Sequence, residues 1–342
     1  MKIARLPSTI LLSWVLILGS GTVSAFEQIP KESGFSGFIN LGAAYIETES
    51  NMVAGLEIVD LGNDTINSIF DDPDSKSDVL PLVNLDLHYT FATTRTQLFI
   101  GNSLEDFVRF DLTAQAGVRQ ELPDSSTVAA SFVFSGLPTE VWEDPYVVGV
   151  PRNETDRTSN GVRLRWDNLL DTSAGVTYTY RKIELDDELS GLTQLGLSAA
   201  QAALLDREGD HHEVELLYEW KVAERHTLIP AFRYNKFDLD GGAMANDRYG
   251  LQLTYKYRGE QFSVAANGSV ALADYDATNP IYNTKRDDTI YGGTLQVFWH
   301  RPFGAPKGVS LLGIVGFFTT NADIDFYDAQ TFLLGLSAFY RF

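Results

Sequence analysis

Apolar and polar side chains trade places at every step through most of this chain. From Val79 to Phe91 the odd positions are Val79, Pro81, Val83, Leu85, Leu87, Tyr89 and Phe91, and the even ones include Asn84, Asp86, His88 and Thr90. The same split recurs where Tyr249, Leu251, Leu253, Tyr255 and Tyr257 alternate with Gly250, Gln252, Thr254, Lys256 and Arg258, and where Val162, Leu164 and Trp166 alternate with Arg163, Arg165 and Asp167. A period of two belongs to a strand with one greasy and one wet face. Fourteen segments carry it: 33–47, 79–92, 95–103, 106–121, 126–136, 159–168, 173–185, 211–222, 226–238, 246–258, 261–274, 287–300, 309–321 and 329–342.

The connections alternate as well. Long links at 48–78, 137–158 and 186–210 take turns with tight ones at 93–94, 122–125, 169–172 and 223–225; the short gap at 104–105 and the long, proline-bearing 301–308 depart from the rule. Aromatic residues sort by height on the apolar face. Phe35, Tyr89, Phe91, Trp166, Tyr218, Trp220 and Trp299 gather at one end, Tyr45, Phe132, Tyr178, Tyr234, Tyr249 and Tyr291 at the other, with Leu, Val, Ile and Ala between. An even strand number, alternating loop lengths and two aromatic girdles around an aliphatic band predict an all-β fold: a transmembrane antiparallel up-and-down β-barrel of about 14 strands, 12 to 16 being compatible.

The N-terminus brings in compartment. Lys2 and Arg5 precede an apolar run from Ile10 to Leu18 and the small residues Val23-Ser24-Ala25. Residues 1–25 thus read as a cleaved signal peptide, with 26–342 as one outer-membrane barrel domain of a Gram-negative cell. Removing Lys2 and Arg5 leaves 24 basic residues against 46 acidic ones, which argues against nucleic acid as a partner. With no cysteine, disulfides, thiolate metal sites and cysteine nucleophiles are excluded. Only about eight residues separate the expected cleavage site from the first strand, too few for an N-terminal plug domain.

The last strand, Phe332, Leu334, Leu336, Ala338, Tyr340 and terminal Phe342, resembles the C-terminal signature by which Gram-negative barrels are recognised by the barrel assembly machinery. The stretch Ile29-Pro30-Lys31-Glu32-Ser33-Gly34-Phe35-Ser36-Gly37-Phe38-Ile39-Asn40-Leu41-Gly42, followed by Ser50-Asn51-Met52, is similar to an uncharacterised domain-of-unknown-function family of Gram-negative outer-membrane proteins. That resemblance implies location and porin-like fold and carries no functional residues with it.

Alternation then assigns the lumen. Asp86, His88, Arg109, Arg163, Arg165, Arg181, Glu213, Glu215, Arg233 and Lys256 are expected to line it, with Phe38, Phe99, Phe237, Phe298 and Phe339 also pointing inward. Two arrangements stay open: basic and acidic walls that set up a transverse field across a pore, or ion pairs that brace the interior. Fourteen strands leave a moderate lumen. The expected function is a porin-like passive diffusion channel for small hydrophilic solutes, with selectivity set by charged lumen residues. The alternative is a non-conducting surface or structural protein whose acidic loops bind lipopolysaccharide, divalent cations or a partner.

Loop chemistry changes little. Asp71, Asp72, Asp74 and Asp78, then Asp274 and Asp276, then Asp323, Asp325 and Asp328 offer oxygen ligands without the spacing of a calcium-binding EF-hand loop, so they read as a solvated acidic surface with no metal or cofactor expected. Ser198 to Arg207 predicts a short serine-capped helix. His211 and His212 beside Asp210 are the candidates for acid–base chemistry, outweighed by a polar-rim role, and no enzymatic activity is expected.

Overall fold

The computed structural model describes residues 28–102 and 113–342. Eighteen strands form one antiparallel sheet: β1 (Gly34–Ser50), β2 (Val53–Leu56), β3 (Val59–Asp60), β4 (Ser75–Phe91), β5 (Thr96–Asn102), β6 (Thr113–Glu121), β7 (Thr127–Ser135), β8 (Thr139–Trp142), β9 (Glu154–Asp167), β10 (Ala174–Leu185), β11 (Gly209–Tyr218), β12 (Trp220–Ala223), β13 (His226–Leu239), β14 (Asn246–Arg258), β15 (Phe262–Asn279), β16 (Thr284–His300), β17 (Val309–Ala322) and β18 (Ala329–Arg341). Fourteen of the strand positions close into an up-and-down barrel: β1, β4 to β7, β9 to β11, and β13 to β18, with β12 continuing β11 beyond Glu219. The predicted segments and the observed barrel strands correspond one to one.

Closure is complete along β1 and β18. Their register runs from Phe38 opposite Arg341 to Ser50 opposite Ala329, and Gly37 and Phe342 exchange both backbone hydrogen bonds at 3.2 and 3.1 Å. No free rim remains there, as hydrocarbon demands, since each unpaired N–H or C=O would cost several kcal/mol in lipid. At the end of β5 a side chain takes over this duty. Asn102 Nδ2 donates to the carbonyl of Val83 and its Oδ1 accepts from Leu85 N, so the β4 edge stays engaged where β5 stops. The first part of the expected 106–121 strand, with Arg109, lies outside the described residues, as does the expected signal peptide.

Outward positions are the apolar ones the alternation assigned. Val79, Val83, Leu85, Leu251, Leu272, Leu334 and Leu336 are all exposed, as are Phe35, Trp166, Tyr218 and Trp220 toward one end and Tyr45, Phe132, Tyr249 and Tyr291 toward the other. An exposed aliphatic band between aromatic belts is the surface that a bilayer covers. No helix among the described residues is long and apolar enough to cross a membrane. β1, β4 and β16 each have 17 residues and β15 has 18, more than the roughly 9–11 a tilted strand needs to cross, so the barrel projects as a rim on the long-loop side.

Candidate functional site

Four neighbouring strands of the wall, β9, β10, β11 and β13, carry a polar lumen face. Strand register stacks its side chains in rows: Arg163, Thr179, Glu213 and Asn235 lie opposite one another on β9, β10, β11 and β13, and Arg165, Thr177, Glu215 and Arg233 form the next row toward the short turns. Two ion pairs brace the lower row. Arg165 Nε donates to Asp167 Oδ1 at 2.6 Å, and Arg233 Nε to Glu215 Oε2 at 2.5 Å. Above, Arg181 faces His211, whose Nε2 donates to Asn235 Oδ1 at 2.9 Å and whose ring stacks on Phe237 at 4.3 Å. Arg163, Arg165, Arg181, Glu213, Glu215 and Arg233 all keep part of their surface accessible.

The opposite side of the lumen is apolar and filled. Ala44 and Ile46 of β1, Leu80 and Leu82 of β4, Ile314 of β17 and Leu333 of β18 point inward and form a cluster with Leu56, Val59 and Leu61 of the first long loop. That loop therefore folds into the barrel rather than over it. β8 pairs with the end of β9, β2 with β8, and β3 with β2, so the sheet continues inward as a flap from the β9 rim toward the β1 and β4 wall. Fit is tight at two glycines. A Cβ on Gly62 would lie 2.6 Å from both Ala54 Cα and the Trp142 ring, and one on Gly335 would lie 2.7 Å from Ile314 and 2.9 Å from Leu82. Below this cluster, Phe38 stacks on Phe339 and Phe298 meets Phe339 edge-on.

A cap with its own core covers the mouth. Ile66, Tyr146, Leu205, Ala243, Met244, Ile324, Phe326 and Tyr327, drawn from five connections, pack together. Buried arginines tie these loops. Arg152 lies over the Trp142 ring at 4.1 Å and donates to the carbonyls of Asn51, Pro145 and Asn63; burial lowers its pKa to about 10, opposed by the charge of Asp64. Arg207 joins the Glu188 carboxylate to the carbonyls of Trp142 and Glu143. Arg286 sits between the rings of Tyr275 and Tyr327, 4.1 Å from each, and is bidentate to Asp288. The predicted loop helix is one turn, Ala199–Ala202, with Ser198 and Gln201 in a reciprocal capping box; Ala202 and the following Leu205 anchor it to the cap.

The remaining sequence-assigned residues fall as follows. Asp86 and His88 face inward, with His88 Nε2 2.9 Å from Asp86 Oδ1 and its ring against Phe99. Lys256 is buried in the wall near Glu219. Arg109 lies outside the described residues. His211 and His212 are not brought together: His211 is in the lumen, whereas His212 faces outward, stacked on Tyr178, whose hydroxyl is 2.9 Å from its Nδ1. Sequence reasoning missed the inward-folded loop and its apolar bed. The signal was present in strands apolar on both faces, as at Val79-Leu80, Leu311-Leu312, Ile314-Val315 and Leu333-Leu334. Asp60, Asp64 and Glu154 form one exposed group whose oxygens lie within 4.8 Å of one another, and the Lys76 ammonium already supplies positive charge there, 2.7 Å from Asp60 and 3.9 Å from Asp64.

The sequence of residues 34–341 matches a family model described as "Protein of unknown function (DUF2860)". Among curated proteins, none matches. Solved structures that resemble the fold include a FadL homologue of Pseudomonas aeruginosa (10% identity, TM-score 0.50, covering 96% of this chain and 99% of that one). The outer membrane channel DcaP of Acinetobacter baumannii (10%, 0.46, 91% and 97%) and an anion-selective porin from Comamonas acidovorans (11%, 0.40, 91% and 99%) are also similar. At 10% identity the likeness to the Pseudomonas aeruginosa structure is one of fold, that of an outer-membrane β-barrel.

Proposed function

The chain belongs to the DUF2860 family, and we propose that it is a passive diffusion channel of the outer membrane for small hydrophilic solutes. One observation carries this reading. The lumen wall that stays accessible is the charged wall of β9 to β13, because the inward-folded loop occupies the apolar wall instead. Water and polar solutes follow the surface that can hydrogen-bond to them, and wall charge then sets which ions pass. Arg163, Arg165, Arg181, Glu213 and Glu215 are the main contributors to that selectivity. The reading includes no chemical step. Assembly by the barrel machinery through the strand ending at Phe342, and lipopolysaccharide around the acidic loops, complete it.

Refolded protein in a planar bilayer tests the proposal: discrete conductance steps are expected, and a silent bilayer with correctly folded protein would refute it. The cap favours a second reading. Its buried core and arginine ties are what a closed mouth would use, as in a non-conducting surface protein whose acidic loops engage lipopolysaccharide or a partner. A silent bilayer together with saturable lipopolysaccharide binding is the outcome that reading expects.

A further inference from the structure

Two ion pairs neutralise charges in place on the open wall, whereas Arg163 and Glu213 have no partner of opposite charge among the described residues. Arg165 is paired with Asp167, and Arg233 with Glu215. Arg163 has only neutral partners: its Nε donates to Thr179 Oγ1 at 2.9 Å, and Nη1 reaches Gln115 Oε1 at 3.5 Å. No carboxylate stands within ion-pair distance of it among the described residues. Glu213, likewise among the described residues, has no hydrogen-bond donor or cation in contact. The two belong to one row. Arg163 on β9 is opposite Thr179 on β10, and Thr179 is opposite Glu213 on β11, so a cation and an anion face the lumen at one height with a neutral hydroxyl between them. Two strand spacings separate their backbones by about 10 Å. In the closed order of strands, β10 and β11 lie half the circumference from β18 and β1, so this row faces the apolar bed of the folded loop across the lumen.

Such a row suits a solute that carries both charges. Leaving either group uncompensated in a partly desolvated wall is unfavourable, and a single small molecule with a carboxylate and an ammonium satisfies both at once. The planar fork of Arg163 can take the carboxylate through its remaining N–H groups, while Glu213 accepts from the ammonium. A purely anionic solute would leave Glu213 facing it as a like charge, and a cationic solute would meet Arg163 in the same way. We propose that Arg163, Thr179 and Glu213 form a recognition site for zwitterionic solutes of amino-acid size. This rests on the channel reading and narrows its substrate class.

Proteoliposomes of the full chain test it with alanine, its uncharged isomer lactamide and the anion lactate, each corrected for protein-free vesicles. Alanine should enter about tenfold faster than lactamide at low concentration, the effect expected of one net charge-assisted hydrogen bond, and faster than lactate. Arg163→Gln and Glu213→Gln should each collapse the alanine-to-lactamide ratio toward one, and Arg163→Glu combined with Glu213→Arg should restore it. Circular dichroism and heat-modified gel mobility establish that every variant is folded. Equal entry of alanine and lactamide, lactate exceeding alanine, or a ratio unmoved by either single substitution overturns the site while leaving the channel standing. No protein-dependent entry of any solute overturns the channel and the site together.

Discussion

The two halves of the inner wall use the same strand geometry for opposite ends. On β17, β18, β1 and β4 the inward positions at mid-height are Ile314, Leu333, Ala44, Ile46, Leu80 and Leu82, and a loop folds down to bury them. On β9, β10, β11 and β13 the equivalent positions are Arg163, Thr179, Glu213 and Asn235, and among the described residues no apolar cluster covers them. One half behaves like the interior of a soluble domain, stabilised by removal of apolar area from water. The other is a hydrated surface whose groups need partners of matching charge. The difference shows how a barrel too wide to be filled by its own side chains can be narrowed on one side only, with the passage placed against the wall that carries the chemistry.

The same truncation should therefore have unequal consequences in the two halves. Leu333→Ala removes buried apolar volume next to Ile46 and Ile314, and urea unfolding in detergent should show a loss of about 2–5 kcal/mol. Thr179→Ala deletes one hydrogen-bond acceptor of Arg163 and should cost about 1 kcal/mol. Equal losses would mean that the apolar bed is not a core.

Leu61→Asp places an unpaired carboxylate in that bed and should release the loop without touching the barrel wall. Single-channel conductance is expected to rise several-fold, whereas an unchanged step size would show that the folded loop does not restrict the lumen. Replacing Arg163, Arg165 and Arg181 together with Gln should leave step size close to its original value and move the reversal potential under a salt gradient toward cation selectivity. An unmoved potential would detach selectivity from this wall.

Much of the fold was legible in the sequence, because alternation is a local property. Each of Val83, Leu85, Leu251 and Leu334 announces its face through its neighbours, and the bilayer selects that pattern residue by residue along every strand. The polar row was legible for the same reason: once Val162 and Leu164 face lipid, Arg163 faces the lumen. Its pairing was not. Arg165 meets Asp167 two residues along its own strand only because of the rotamers both adopt, and whether Arg163 meets any carboxylate depends on side-chain reach across neighbouring strands. Still less legible was the loop, since Leu56, Val59 and Leu61 read as an ordinary hydrophobic stretch in a long connection until the four strands that receive them are brought side by side. Likewise His211 and His212, neighbours in sequence, are parted by the pleat onto opposite faces.

The sequence by itself determined a closed antiparallel barrel, its strand number and its lipid face, because a two-residue period in a solvent with two interfaces has one stable solution. Only the tertiary structure decided which part of the lumen is filled and which charges are left over. Those outcomes arise from contacts between strands as much as half a barrel apart in the chain order and a loop that belongs to neither. No local pattern encodes them, for the energy that fixes them is the burial of surfaces that meet only once the barrel has closed.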